Sequence, residues 1–124
     1  MDSESKDFSI IARIKSTNHA WRGIGVLIKT TPNMLVHLFF IVLVAYLGFV
    51  LSISTTEWLF IILAIGFVIV AEAFNTAIEI DIDLTSPEYH PYAKDTKDVA
   101  AGAVLLAVLV AVIIGSIIFL PKLL

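Results

Sequence analysis

The sequence predicts an all-α integral membrane protein: an N-terminal amphipathic surface helix followed by three transmembrane helices. Three observations carry that prediction. Hydrophobic residues make up 59% of the 124-residue chain and charged residues only 15%, against roughly half and a quarter in a soluble domain. The mean hydropathy is +0.97, and a soluble domain this short buries too little surface to hide such a surplus. The polar residues are gathered into short segments between long uncharged runs. Length allows one domain, 1–124. The absence of cysteine excludes a disulfide scaffold, a thiolate metal site and a cysteine nucleophile. A net charge of −3 excludes a nucleic-acid-binding chain.

Residues 1–7 are polar and expected to be frayed. The acidic start, with no apolar run directly behind it, argues against a cleaved signal peptide. Over 8–29, Ile10, Ile14, Trp21, Ile24 and Ile28 share roughly a third of a helix circumference, while Lys15, Asn18, Arg22 and Lys29 share another face. Such a helix suits the plane of a membrane surface, and packing on other protein is the alternative. Thr30-Thr31-Pro32-Asn33 then breaks it, since the proline biases Thr31 away from helix.

Residues 34–53 form an uncharged run of 20 with no Asp, Glu, Lys or Arg and His37 as its one histidine, long enough to cross a hydrocarbon core of about 30 Å. Ser54-Thr55-Thr56-Glu57 reads as a tight polar turn, and Trp58 stands where an interfacial aromatic anchor belongs. The second span, 59–80, is apolar to Ala71 and then carries Glu72, Asn75 and Glu79, with Asp83 just beyond. The polar stretch 84–98, broken by Pro87 and Pro91, reads as a loop plus the start of a helix. Residues 99–120 give a third uncharged run of 22, and 121–124 a short tail. Along that third run Ala103, Ala107, Ala111 and Gly115 recur every four positions, a stripe that permits close helix contact in lipid.

Lys6, Arg13, Lys15, Arg22 and Lys29 precede the first span, and Lys94 and Lys97 lie between the second and third. The first-to-second turn has no cation, and only Lys122 follows the last span. Because cytoplasmic segments carry the Lys/Arg excess, the N-terminus and the 84–98 connection face the cytoplasm and the C-terminus faces outward.

The anomaly is the acidic end of the second span. At about 100° per residue, Glu72, Asn75, Thr76, Glu79 and Asp83 fall within an arc of roughly 100°, while Asp81 points elsewhere. A carboxylate facing lipid costs about 2.5 kcal/mol or more, so intramembrane acids generally face an interior and have a function. The alternative is that the interface begins near Glu72 and the acids are wet. Two carboxylates two turns apart can hold a Mg²⁺ that takes its remaining ligands from water and phosphates. A further acid nearer the bilayer could take a proton from a hydroxyl. Lys94, Lys97 and Asp98 follow closely; lysine is a usual point-charge partner for phosphate, and His90 could touch a phosphate or be a plain interface histidine. Neither GxxxxGK[ST] nor GxGxxG is present.

The blocks Glu72-Ala73-Phe74-Asn75-Thr76-Ala77-Ile78-Glu79, Glu88-Tyr89-His90-Pro91 and Lys97-Asp98-Val99-Ala100-Ala101-Gly102-Ala103-Val104-Leu105 resemble the bacterial membrane diacylglycerol kinase / undecaprenol kinase family. Trp21-Arg22-Gly23-Ile24 echoes that family's surface helix, so the resemblance covers nearly the whole chain. It implies a homotrimer in the bacterial inner membrane with active sites shared between subunits. MgATP enters from the cytoplasm, and a lipid alcohol, diacylglycerol or undecaprenol, approaches from the bilayer. By the same resemblance Glu72 is the general base, Glu79 the Mg²⁺ ligand, and Asn75 supports it. Glu79, Glu88, His90, Lys97, Asp98 and His19 are the ATP-binding positions. Arg13, Trp21, Glu72 and Asn75 are the lipid-contacting ones.

One departure stands out. The resemblance calls for a pattern like E-x-N-x-R-x-H before the first span. Here Thr31-Pro32-Asn33-Met34-Leu35-Val36-His37 keeps Asn33 and His37 but has Thr31 in place of the Glu and Leu35 in place of the Arg. Threonine is a poor Mg²⁺ ligand beside a carboxylate, and Asp83 is the nearest substitute acid by position. Three readings follow, in this order: a lipid kinase, a catalytically impaired lipid- or nucleotide-binding protein of the same fold, and a small cation- or proton-conducting oligomer.

Overall fold

A computed structural model describes residues 9–124; the expectations for residues 1–7, and Phe8 at the start of the surface helix, lie outside it. Four helices follow in order: α1 (Ile10–Thr30), α2 (Met34–Val50), α3 (Thr55–Thr85) and α4 (Pro91–Leu123). Three of them begin on residues that satisfy the helix start, while Asn33 at the head of α2 makes no side-chain cap bond. The Ser9 hydroxyl accepts from Ala12 N–H at the head of α1. Ser54 and Glu57 form a reciprocal capping box at the head of α3, which satisfies two otherwise orphaned donors. Pro91 sits in the first turn of α4, where its missing N–H costs nothing.

The axes of α1 and α2 differ by 101° across the break at Thr31-Pro32-Asn33. Ile10, Ile14, Trp21, Ile24 and Ile28 are all exposed along α1. By length and composition α3 and α4 can each cross a membrane, and α1 with α2 supplies a third crossing only if that bent pair is taken as one span. Three of the sequence-drawn bounds change. The run 34–53 is helical only to Val50, because Ser52 adopts a left-handed φ of 50° to reverse the chain. At 17 residues α2 rises about 26 Å. The span drawn over 59–80 is the middle of a 31-residue helix: the supposed turn at Thr55–Glu57 is its capped first turn, and the polar residues past 80 continue it. The tail 121–124 is helical to Leu123, since a proline this close to a C-terminus forfeits a single hydrogen bond.

The central pair is α3 against α4, and α1 contacts α3. The buried stripe of α3 is Ile61, Ala64, Val68, Glu72 and Thr76, one face of a 3.6-residue helix. Facing it, Ala107 is 1% exposed, so one member of the small-residue stripe serves contact within the chain, while Ala103 is exposed. At the end bearing the α2–α3 turn, Ile53, Ile61, Ile118 and Phe119 form a cluster, with Trp58, Leu47 and Ile114 packed on it. Lys122 Nζ lies 3.4 Å from Glu57 Oε1 at the same end. Large apolar side chains on the outer faces of α2, α3 and α4, such as Phe39, Phe49, Leu63 and Leu106, are exposed, the surface a lipid environment requires.

Candidate active site

Among the described residues, every side-chain polar contact between helices away from that cluster lies at the opposite end of the bundle. There α1 ends, α2 begins, α3 ends and α4 begins. Glu72 is 4% exposed, because it continues the buried stripe of α3, and its Oε1 lies 2.7 Å from His37 Nε2 on α2. A carboxylate only accepts, so with Glu72 ionised the ring's Nε2–H is the donor. One turn further along α3, the Thr76 hydroxyl lies 3.0 Å from that of Thr31, and both residues are buried. Asn75 Nδ2 donates to Glu79 Oε1 at 3.4 Å, and Asn75 Oδ1 is buried without a hydrogen-bond partner. Glu79 is half-buried.

Past Glu79, Lys97 Nζ donates to Asp83 Oδ1 at 2.8 Å, bridging the end of α3 to the start of α4. Lys97 precedes the apolar stretch of α4, and the hydrogen bond accepted by Asp83 is the main reason its ammonium is held above the ordinary lysine range. Lys94 is paired with Asp98 one turn along the same helix, and that hydrogen bond raises it likewise.

The predicted face is therefore real: Glu72, Asn75, Thr76 and Glu79 are buried or half-buried on one side of α3. Asp83 does not stand in for the missing carboxylate near Thr31, because it is exposed and engaged by Lys97. Lys97 and Asp98, adjacent in sequence, bind different partners. Glu88 and His90 are exposed; the His90 Nδ1 accepts from Tyr92 N–H at 3.1 Å and so caps α4. Arg13, His19 and Trp21 are exposed on α1, and among the described residues no side-chain hydrogen bond joins them to the cluster. Two contacts escape sequence reasoning, His37–Glu72 and Thr31–Thr76, since both depend on how two helices approach.

Among the described residues no three His, Asp or Glu side chains converge into a metal cage. The donors present suit a cation that arrives with its own phosphate ligands. Glu79 offers one carboxylate, and the unpartnered Oδ1 of Asn75 offers a neutral oxygen beside it. They do not suit a second cation at Thr31, whose hydroxyl is already bonded.

Beside the cluster, α2 stands off from the α3–α4 pair and leaves an apolar groove of about 460 Å³. Val44, Ile65, Val68, Ala111 and Gly115 line it, and among the described residues His37 is its one titratable lining residue.

A helical membrane protein with a buried and a half-buried carboxylate on one helix face, lysine-paired acids just beyond them and an apolar groove alongside has the parts of an enzyme acting on an amphiphile. The sequence profile described as prokaryotic diacylglycerol kinase matches residues 18–119, and the chain belongs to this family of lipid kinases. It is 42% identical over 123 residues to the undecaprenol kinase of Bacillus subtilis (strain 168), covering 99% of this chain and 100% of the relative. It is 39% identical over 110 residues to a diacylglycerol kinase of Synechocystis, covering 88% of this chain and 63% of that one. With the diacylglycerol kinase of Escherichia coli K12 it shares 27% over 100 residues, covering 81% and 82%.

Proposed function

We propose that the protein transfers the γ-phosphoryl group of MgATP to the hydroxyl of a membrane lipid alcohol at the cytoplasmic face of the bacterial inner membrane. The observation that carries this reading is the buried placement of Glu72, bonded to a His37 that itself lines the apolar groove, on the same face of α3 as Asn75, Thr76 and Glu79. Phosphoryl transfer asks a protein mainly for positioning and charge stabilisation. Glu72 accepts the proton of the lipid hydroxyl as that oxygen attacks phosphorus. Lys97, together with Glu88, His90 and Asp98, binds the nucleotide; His19 of a surface helix laid against the headgroups completes the polar side. The groove takes hydrocarbon, and Arg13, Trp21 and Asn75 contact the lipid. Glu79, with Asn75 beside it, would hold the Mg²⁺ that accompanies ATP, and that ion would supply charge neutralisation at the phosphate oxygens.

The 101° turn between α1 and α2 and the exposed apolar face of α1 support its lying in the membrane plane, with α2, α3 and α4 as the three crossings. On this reading the N-terminus is cytoplasmic and the C-terminus external, in keeping with the lysines and arginines at the Glu72 end. The exposure of Glu88, His90, Arg13 and Trp21 away from the cluster supports a homotrimer with shared sites, in which another subunit supplies what one chain leaves open. Of the two alcohols, the match over nearly the full chain to an undecaprenol kinase favours the polyprenol.

The test is transfer of labelled phosphate by the purified protein, resolved by thin-layer chromatography with diacylglycerol and undecaprenol side by side. Mg²⁺-dependent labelling of undecaprenol is expected, and no labelling of either alcohol refutes the reading. A second reading, a lipid- or nucleotide-binding protein with impaired catalysis, is favoured by one observation: Thr31 bonds Thr76 where the resemblance calls for a carboxylate. An inert native protein that Thr31→Glu switches on would decide for it.

A further inference from the structure

The run 34–53 has no Asp, Glu, Lys or Arg and His37 as its one histidine, and the His37 ring is mostly withdrawn from the surface, with 16% of the side chain exposed. Its partner Glu72 is more deeply buried, and the two meet at 2.7 Å through Nε2 and Oε1. Among the described residues no other titratable side chain lines the groove on which His37 opens. The contact joins two helices that otherwise meet mainly at the turn cluster, and among the described residues it is the one side-chain hydrogen bond between α2 and α3, next to the Thr31–Thr76 bond from the preceding break. Ionisable groups within a membrane that face an interior pair with one another, and such pairs carry function.

We propose that His37 is a positioning residue for Glu72, an inference that rests on the lipid-kinase reading above. A glutamate carboxylate has three side-chain torsions and two equivalent oxygens. The Nε2–H of His37 holds Oε1, which fixes the carboxylate plane and leaves Oε2 as the oxygen presented to the substrate hydroxyl. Because His37 also forms part of the groove wall, the same ring that orients the base borders the hydrocarbon of the acceptor. Misplacing a reacting group by about 1 Å can cost on the order of 100-fold in rate. His37 touches neither Lys97 nor Asp83, so its effect falls on turnover and not on nucleotide affinity.

The bond runs through Nε2, and this gives a specific test. The amide nitrogen of glutamine can occupy the place of Nε2, whereas that of asparagine reaches only the place of Nδ1. Steady-state kcat and KM are measured on the purified full chain in mixed micelles for wild type, His37→Gln, His37→Asn, His37→Phe and Glu72→Gln. His37→Gln is expected within about threefold of wild-type kcat, and His37→Asn and His37→Phe about 10- to 100-fold lower, all with nucleotide KM unchanged. Equal kcat for the Gln and Asn variants, or full kcat in the Asn and Phe variants, overturns the proposal, since a packing role does not distinguish the two amides. Retained activity in Glu72→Gln overturns the underlying reading instead. Infrared difference spectra between wild type and Glu72→Gln identify the Glu72 carboxylate band, and His37→Gln must preserve that band while His37→Phe broadens it.

Discussion

Replacing Thr31 by glutamate supplies the carboxylate that the resemblance calls for, and the structure sets its energetic consequence. Thr31 is 7% exposed, and its hydroxyl is bonded at 3.0 Å to Thr76, itself buried. Thr31→Glu removes that bond and inserts an anion beside Thr76, which stands one turn before Glu79 on α3, and among the described residues no cationic side chain is bonded to either threonine. An uncompensated buried charge costs about 3–5 kcal/mol. A divalent cation bound only to the folded state returns about 2.7 kcal/mol at a hundredfold excess over Kd. The variant is therefore expected to unfold at lower temperature than wild type in a chelator, and to recover more than half of the loss in saturating Mg²⁺. Thermal unfolding of both proteins in detergent, with EDTA and with Mg²⁺, makes the comparison. A Thr31→Glu protein as stable as wild type in EDTA, or one indifferent to Mg²⁺, refutes the reasoning.

Two further outcomes follow from the geometry. A Cβ on Gly48 would meet the Trp58 ring at 2.5 and 2.7 Å, so Gly48→Ala should destabilise the α2–α3 hairpin by about 1–3 kcal/mol; thermal unfolding reads the loss, and the added Trp58→Ala should reduce the difference made by Gly48→Ala. Lys97→Met should raise the nucleotide KM several-fold with little change in unfolding temperature, because the Lys97–Asp83 pair is exposed and screened; an unchanged KM contradicts the role given to Lys97.

Much of this was legible in the sequence, for identifiable physical reasons. The apolar runs announced the long helices, and the 3.6-residue period placed Glu72, Asn75, Thr76 and Glu79 on one face of α3, where they are found. Helix ends were less legible. The Ser54–Glu57 capping box was there to be read as a helix start, but its polarity resembled that of a turn. The i, i+4 spacing of Lys94 and Asp98 is that of a helical ion pair, and they form one. Contacts between helices were out of reach. Nothing in the spacing of His37 or Thr31 says that the one meets Glu72 and the other Thr76, because those distances are set by the bend at Pro32 and the reversal at Ser52.

The most direct test of the buried acidic face as a phosphoryl-transfer site compares Glu72→Gln with Glu79→Gln in two assays, transfer of labelled phosphate to the lipid and equilibrium binding of MgATP. Both variants should lose transfer by about 100-fold or more, Glu72→Gln while binding MgATP as wild type does, and Glu79→Gln with binding weakened. Transfer that persists at the wild-type rate in both would contradict the account.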